Sequence, residues 1–188
     1  MKPADARLQL APPGERAGLW LFLLVAVLPP AATAVAIAAR AIGHGGIRGT
    51  EPVALAIAAP AFVALWWVLR RLMHRQCLQV SREGLDVRSS LYRCRVALPA
   101  LDLERSRVLD LDGHPELKPA LKTNGFSLPG YRSGWFRLRN RRRCFTATSS
   151  GTRVLWLTSD AHDLLLEARD PAALLARLRE LATPGSRA

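Results

Sequence analysis

The chain has 188 residues, with 27 Lys and Arg against 15 Asp and Glu, a net charge of +12, and apolar residues at 49% of positions. That apolar share excludes a disordered polar chain, and three cysteines without CxxC spacing exclude a disulfide framework. A basic surplus of this size points to an acidic counterpart, whether lipid, protein or nucleic acid.

From the N-terminus, a short charged tail (1–16) with Lys2, Arg7 and Arg16 precedes two uncharged apolar runs, Ala17–Ala39 with 23 residues and Pro52–Leu69 with 18. A helix needs about 20 residues to cross the hydrocarbon core, so both runs can span. The pair predicts a transmembrane hairpin over 17–73, its spans joined by a short Gly-rich periplasmic connection. Arg70, Arg71 and Arg75 flank the second exit, and the positive-inside bias then puts both termini in the cytoplasm. Trp66 and Trp67, next to Arg70, fit an interfacial aromatic anchor. A cleaved signal peptide is the competing reading, because Ala32-Thr33-Ala34 has the look of a cleavage site. A buried core helix is the other competitor, and a basic domain of this size has little surface to cover two such stripes. Pro29-Pro30 and Pro60 predict mild kinks, and Ala31, Ala34, Ala38, Ala54 and Ala58 offer small faces for packing of the two helices.

The rest of the chain is a soluble, basic domain expected over 76–183, followed by a tail, 184–188. From Arg70 onward there are 22 Lys and Arg against 12 Asp and Glu, and no acid at all stands between Leu117 and Ser159. Period-two alternation predicts strands through Leu78 and Val80, Leu85 and Val87, and Tyr92, Cys94 and Val96, with a fourth over Val108–Leu111. The stretch Gly113–Gly130, broken by Pro115, Pro119, Asn124-Gly125 and Pro129-Gly130, is expected to be irregular. Phe136 and Leu138 open a hairpin that returns over Cys144–Thr148, and two further strands are expected over Thr152–Thr158 and Leu164–Ala168. Asp170 as N-cap, Pro171 at the first helical position and Leu174, Leu175, Leu178 and Leu181 in a stripe predict a C-terminal helix. About seven short antiparallel strands in two sheets, capped by that helix, is the expected fold.

This order of elements, with Leu78-Gln79-Val80 through Gly84-Leu85 and the stretch from Leu128-Pro129-Gly130-Tyr131 to Arg139-Asn140, resembles the bacterial PH-like domain of small membrane-anchored proteins. The resemblance covers about Gln76–Ala182 and implies two orthogonal antiparallel sheets closed by a C-terminal helix, in a protein of the bacterial inner membrane. It also leads one to expect a glycine near position 141, where this chain has Arg141 after Asn140, so that turn should be longer or strained. Such folds host lipid binders, peptide binders and assembly modules, and the fold alone does not choose among them.

Two groups of residues stand out as candidates. Arg137, Arg139, Arg141, Arg142 and Arg143 would bring several guanidinium forks within reach of a phosphate or lipid headgroup; the plainer alternative is a solvated strand face. The stretch from Lys122 to Trp135 reads either as a recognition loop, with Asn124, Tyr131, Arg132 and Trp135 as its contacts, or as a plug over an open end of the barrel. His74, His114 and His162 are scattered, so no metal site is expected, and no cofactor motif, nucleophile elbow or nucleic-acid-binding motif appears. The expectation is a non-enzymatic interaction or scaffolding protein on the bilayer, working through a protein partner or its own copies. Recognition of anionic lipid is the alternative, and a membrane enzyme the remote third.

Overall fold

The computed structural model describes residues 6–44 and 51–183. The ends 1–5 and 184–188 and most of the expected connection, 45–50, lie outside the described residues, and Lys2 with them. Contacts divide the chain into two units, one over Glu15–Leu72 and the other joining Met1–Gly14 to Met73–Ala188.

In the first unit α1 (Glu15–Phe22) runs through a π-helical turn (Leu23–Val27) into α2 (Leu28–His44), and α3 covers Glu51–Met73. The wide turn has a local cause. Pro29 and Pro30 bring rings against the carbonyls four residues back, in Val25 and Ala26, and the helix makes room by passing to an i→i−5 bond from Leu28 N–H to Leu23 O. Glu15–Arg40 and Ala56–Met73 are each long and apolar enough to cross a membrane, and only 6% of the apolar 18-residue window in each is buried. Val35 and Ile57 are about two-thirds exposed, at 68% and 67%. A core helix would have hidden these side chains, so the core-helix reading does not fit. Of the small-residue faces, Ala31 and Ala38 are exposed, Ala34 and Ala58 are half-buried, and the side chain of Ala54 lies outside the described residues. Trp66 and Trp67 carry Arg70 and Arg71 over their rings at 5.5 and 4.8 Å, a cation–π arrangement in which the aromatic pair and the charges share one helix end.

The second unit holds nine strands among its described residues, against about seven expected. β1 (Gln76–Val80), β2 (Gly84–Ser89) and β3 (Tyr92–Ala97) form a three-stranded antiparallel meander. β4 (Leu101–Asp110), β5 (Pro119–Leu128), β6 (Tyr131–Leu138), β7 (Arg143–Thr148), β8 (Arg153–Ser159) and β9 (Asp163–Leu166) form a six-stranded sheet in the order β4-β8-β9-β7-β6-β5. One feature departs from the expected all-antiparallel arrangement, because β9 inserts between β8 and β7 and runs parallel to β7. All four of its residues, Asp163 to Leu166, are fully buried, as in a strand covered on both faces.

The inner faces of the sheets and α4 (Pro171–Ala182) share one core, with Leu85, Val87 and Cys94 meeting Phe145, Leu157, Leu164 and Leu174. A second apolar cluster joins Leu109, Leu138, Cys144, Val154 and Leu165 of the six-stranded sheet to Leu111 and Leu117 of the β4–β5 connection. Helix α4 forms for the reasons in its sequence: Asp170 Oδ1 accepts from Ala173 N–H at 2.9 Å, Pro171 takes the first turn, and Leu174 and Leu178 are fully buried.

The segment before the apolar helices is not a free tail. Gln9 brackets β1, donating from Nε2 to Leu78 O at 3.2 Å while its Oε1 accepts from Leu78 N–H at 3.3 Å. Leu10 forms a bridge with Ala168 and is buried in the shared core. Ala11 N–H donates to Glu167 O, and Arg169 N–H to Gln9 O. The chain therefore leaves the β-domain at Gly14 and rejoins it at Met73.

Candidate anion-binding surface

The β6–β7 hairpin end gathers the candidate arginines. Buried Leu138 ends β6, and Arg141 N–H donates to Leu138 O at 2.9 Å while Leu138 N–H donates to Arg142 O at 3.0 Å. This is a three-residue loop whose third position takes a left-handed conformation usually given to glycine, and Arg141 occupies it with φ 66°. Asn140 supports the loop by accepting from Arg142 N–H at 3.0 Å. The turn thus holds its arginine in a strained backbone.

Arg137, Arg139, Arg141 and Arg143 are all exposed, and among the described residues none has a carboxylate within salt-bridge reach. Arg137 stands directly opposite Arg143 in the ladder, a like-charge pair that is destabilising without a counter-ion. Arg143 turns its guanidinium over the Trp135 ring at 4.3 Å. Arg142 behaves differently. Its Nη2 binds Asp163 Oδ1 at 2.9 Å and Ser159 O at 3.0 Å, so it fastens the hairpin to a fully buried carboxylate.

The expected recognition loop is a regular hairpin. β5 and β6 pair from Pro119–Leu138 to Leu128–Tyr131, across a Pro129-Gly130 turn with Gly130 at φ 78°. Gly134 is required in β6, because it lies at φ 114° and a Cβ there would come within 2.6 Å of Asn124 O. Of the four candidate contacts only Asn124 is exposed; Arg132 and Trp135 are half-buried. Tyr131 is buried, with its hydroxyl 2.6 Å from Ser90 Oγ, and Ser133 Oγ beside it donates to Ser89 O at 2.9 Å. Its role is to join β6 to the β2–β3 turn, which removes it from any recognition surface. Trp135 packs edge-to-face on Phe145 and His162. The stretch is neither loop nor plug but the edge hairpin of the six-stranded sheet.

Two clusters escaped sequence reasoning. Asp86 on β2 receives a bidentate fork from Arg93, at 2.9 and 2.6 Å, and has Arg95 at 3.5 Å and Arg88 at 3.7 Å. The hydrogen bonds from Arg93 hold its carboxyl below the usual range. The alternation of Asp86, Arg88, Arg93 and Arg95 on two paired strands was the available signal. Cys94 Sγ on β3 and His162 Nε2 in the β8–β9 connection meet at 3.3 Å, too far apart in sequence to pair by inspection. Burial pushes the thiol up to about 12, and burial with the nearby Arg143 pulls the imidazole down. Both groups are neutral near pH 7, which is the opposite of an activated thiolate. Among the described residues no cluster of His, Cys, Asp and Glu is arranged to hold a metal. Comparison with protein-family models, curated proteins and solved structures finds no match.

Proposed function

We propose that this chain is a two-span anchored protein of the bacterial inner membrane whose β-domain, on the cytoplasmic side, is a non-enzymatic interaction module, and that the β6–β7 hairpin end is its contact with an anionic surface. The observation that carries this reading is the set of exposed arginines Arg137, Arg139, Arg141 and Arg143, gathered at one hairpin end with no acidic partner among the described residues. Each cation held near an anionic leaflet contributes about 1 kcal/mol.

The anchoring rests on the exposed apolar helices and on the clasp of residues 7–11 in the β-domain. A chain that leaves a domain at Gly14 and returns at Met73 needs an even number of crossings between them. Cleavage after Ala34 would detach Gln9 and Leu10 from that domain, which argues against the signal-peptide reading. Two sheets closed by a C-terminal helix support a PH-like relationship, while the parallel β7–β9 pair departs from it.

A second reading, contact with a protein partner or another copy of this chain, is favoured by β5. This ten-residue edge strand has exposed Leu121 at 60%, and an uncovered edge is a template for strand addition.

The test uses the full chain in phosphatidylcholine proteoliposomes, scored for docking of a second vesicle population with and without phosphatidylglycerol. Docking that needs phosphatidylglycerol and falls in Arg137→Gln/Arg139→Gln/Arg141→Gln is expected. Docking equal for both populations, or unchanged in the triple variant, sinks the lipid contact. Crosslinking between copies that Leu121→Lys abolishes would move the assignment to β5.

A further inference from the structure

Strand β4 is interrupted where it should pair with β8. Asp102 faces Thr158 and Arg107 faces Trp156, so residues 103–106 stand against the single residue Leu157. The bulge is built from within. Asp102 Oδ1 accepts from Arg105 N–H at 3.0 Å, and buried Ser106 donates its hydroxyl to Asp102 O at 2.6 Å. From α4, Arg179 reaches the exposed carbonyls of this bulge, binding Leu103 O at 3.1 Å and Ser106 O at 3.2 Å through Nη2. Bulges of this kind re-aim side chains.

Here the result is an open cleft of about 450 Å³ whose wall carries Arg105, Arg107, Arg142 and Arg179 against one carboxylate, Glu104. Three of the guanidiniums are held in place: Arg107 over the Trp156 ring at 5.6 Å, Arg142 by Asp163, and Arg179 by the bulge. Arg142 and Arg179 keep donors in reserve, since every bond assigned to Arg142 uses Nη2 and those of Arg179 use Nε and Nη2. Asp163 behind Arg142, and Asp102 at 3.8 Å from Arg105, reduce the positive charge without cancelling it. The indole N–H of Trp156, in the same wall, is buried without an acceptor.

We infer that this cleft binds a phosphate group, carried either by a lipid headgroup or by a small soluble phosphate ester. A planar carboxylate is satisfied by one guanidinium fork, whereas a tetrahedral dianion can accept from forks arriving from several directions. These arrive from the β4 bulge, the β6–β7 turn and α4. The site is independent of the proposed hairpin contact, with Arg142 the one residue common to both regions.

The experiment is calorimetric titration of the full chain in phosphatidylcholine nanodiscs with pyrophosphate, repeated in discs doped with phosphatidic acid. Saturable binding is expected, weakened roughly tenfold or more in Arg107→Gln/Arg179→Gln. Because Arg179 also braces the bulge, Arg105→Gln/Arg107→Gln is the companion variant and should weaken binding while leaving the melting temperature near that of the parent. Competition by phosphatidic acid would assign the phosphate to lipid, and undiminished binding would assign it to a soluble ester. No saturable binding, or wild-type affinity in the Arg105/Arg107 variant, overturns the site. Loss in Arg137→Gln/Arg139→Gln alone would overturn it too and leave the hairpin contact standing.

Discussion

On the outer face of the three-stranded sheet, Arg88, Arg93 and Arg95 close around the single carboxylate of Asp86. At the β6–β7 end a comparable number of arginines has no carboxylate to close on. The two regions are alike in composition and opposite in electrostatic state. Positive charge in a sequence therefore does not tell which cations the fold will neutralise with its own acids.

Arg142 sits among the free arginines but belongs with the paired ones, so it gives the sharpest way to break the comparison. Truncating it leaves Asp163, fully buried, with only the Thr158 hydroxyl at 2.9 Å to meet its charge. Arg142→Ala should lose about 2–3 kcal/mol in denaturant unfolding of the β-domain, somewhat less than a fully buried pair would because Arg142 is half exposed. Arg142→Ala/Asp163→Asn should recover much of that loss, and Arg139→Ala should lose almost nothing. Equal losses for Arg142→Ala and Arg139→Ala would erase the distinction between the two kinds of arginine.

A smaller effect is expected on the three-stranded sheet. Asp86→Asn leaves three guanidiniums on neighbouring strand positions with no anion among them, and should cost about 1 kcal/mol, since the arginines are largely solvated. The carboxyl is held below its unfolded value of 3.8, so its contribution is complete above that pH and is lost as pH falls through the lower folded value. The parent should therefore shed stability below pH 3.8 by a share that Asp86→Asn does not shed. Parallel pH profiles for the two proteins would contradict this account.

The strands that alternate cleanly were legible in the sequence, as β1–β3 and the β6–β7 hairpin show, and so was α4 from its cap and leucine stripe. β5 was not, because register shifts at Pro119/Leu121 and Lys122/Asn124 scramble the period-two pattern and its turn residues mimic an irregular loop. The parallel insertion of β9 was hidden because a run of Asp163-Leu164-Leu165-Leu166 carries burial but not pairing partners. The basic stretch was visible as a stretch; that Arg142 turns inward and its neighbours outward depends on Asp163, a carboxylate from another strand. The cleft arginines come from β4, the β6–β7 turn and α4, and no linear spacing relates them.

The smallest effect concerns the turn itself. Arg141 is held at φ 66°, where a residue with a Cβ is strained on the order of 1 kcal/mol. Glycine removes that strain but gives the unfolded chain more freedom, which returns part of the gain. Arg141→Gly should therefore stabilise the domain by about 0.5 kcal/mol, with Arg141→Asn close behind because asparagine tolerates the left-handed region. If the arginine is there for its charge, both variants should also weaken docking to anionic vesicles, so that stability rises while binding falls. A gain in stability with unchanged docking would make Arg141 a strained residue without a role in the contact, and would confine the proposed surface to Arg137, Arg139 and Arg143.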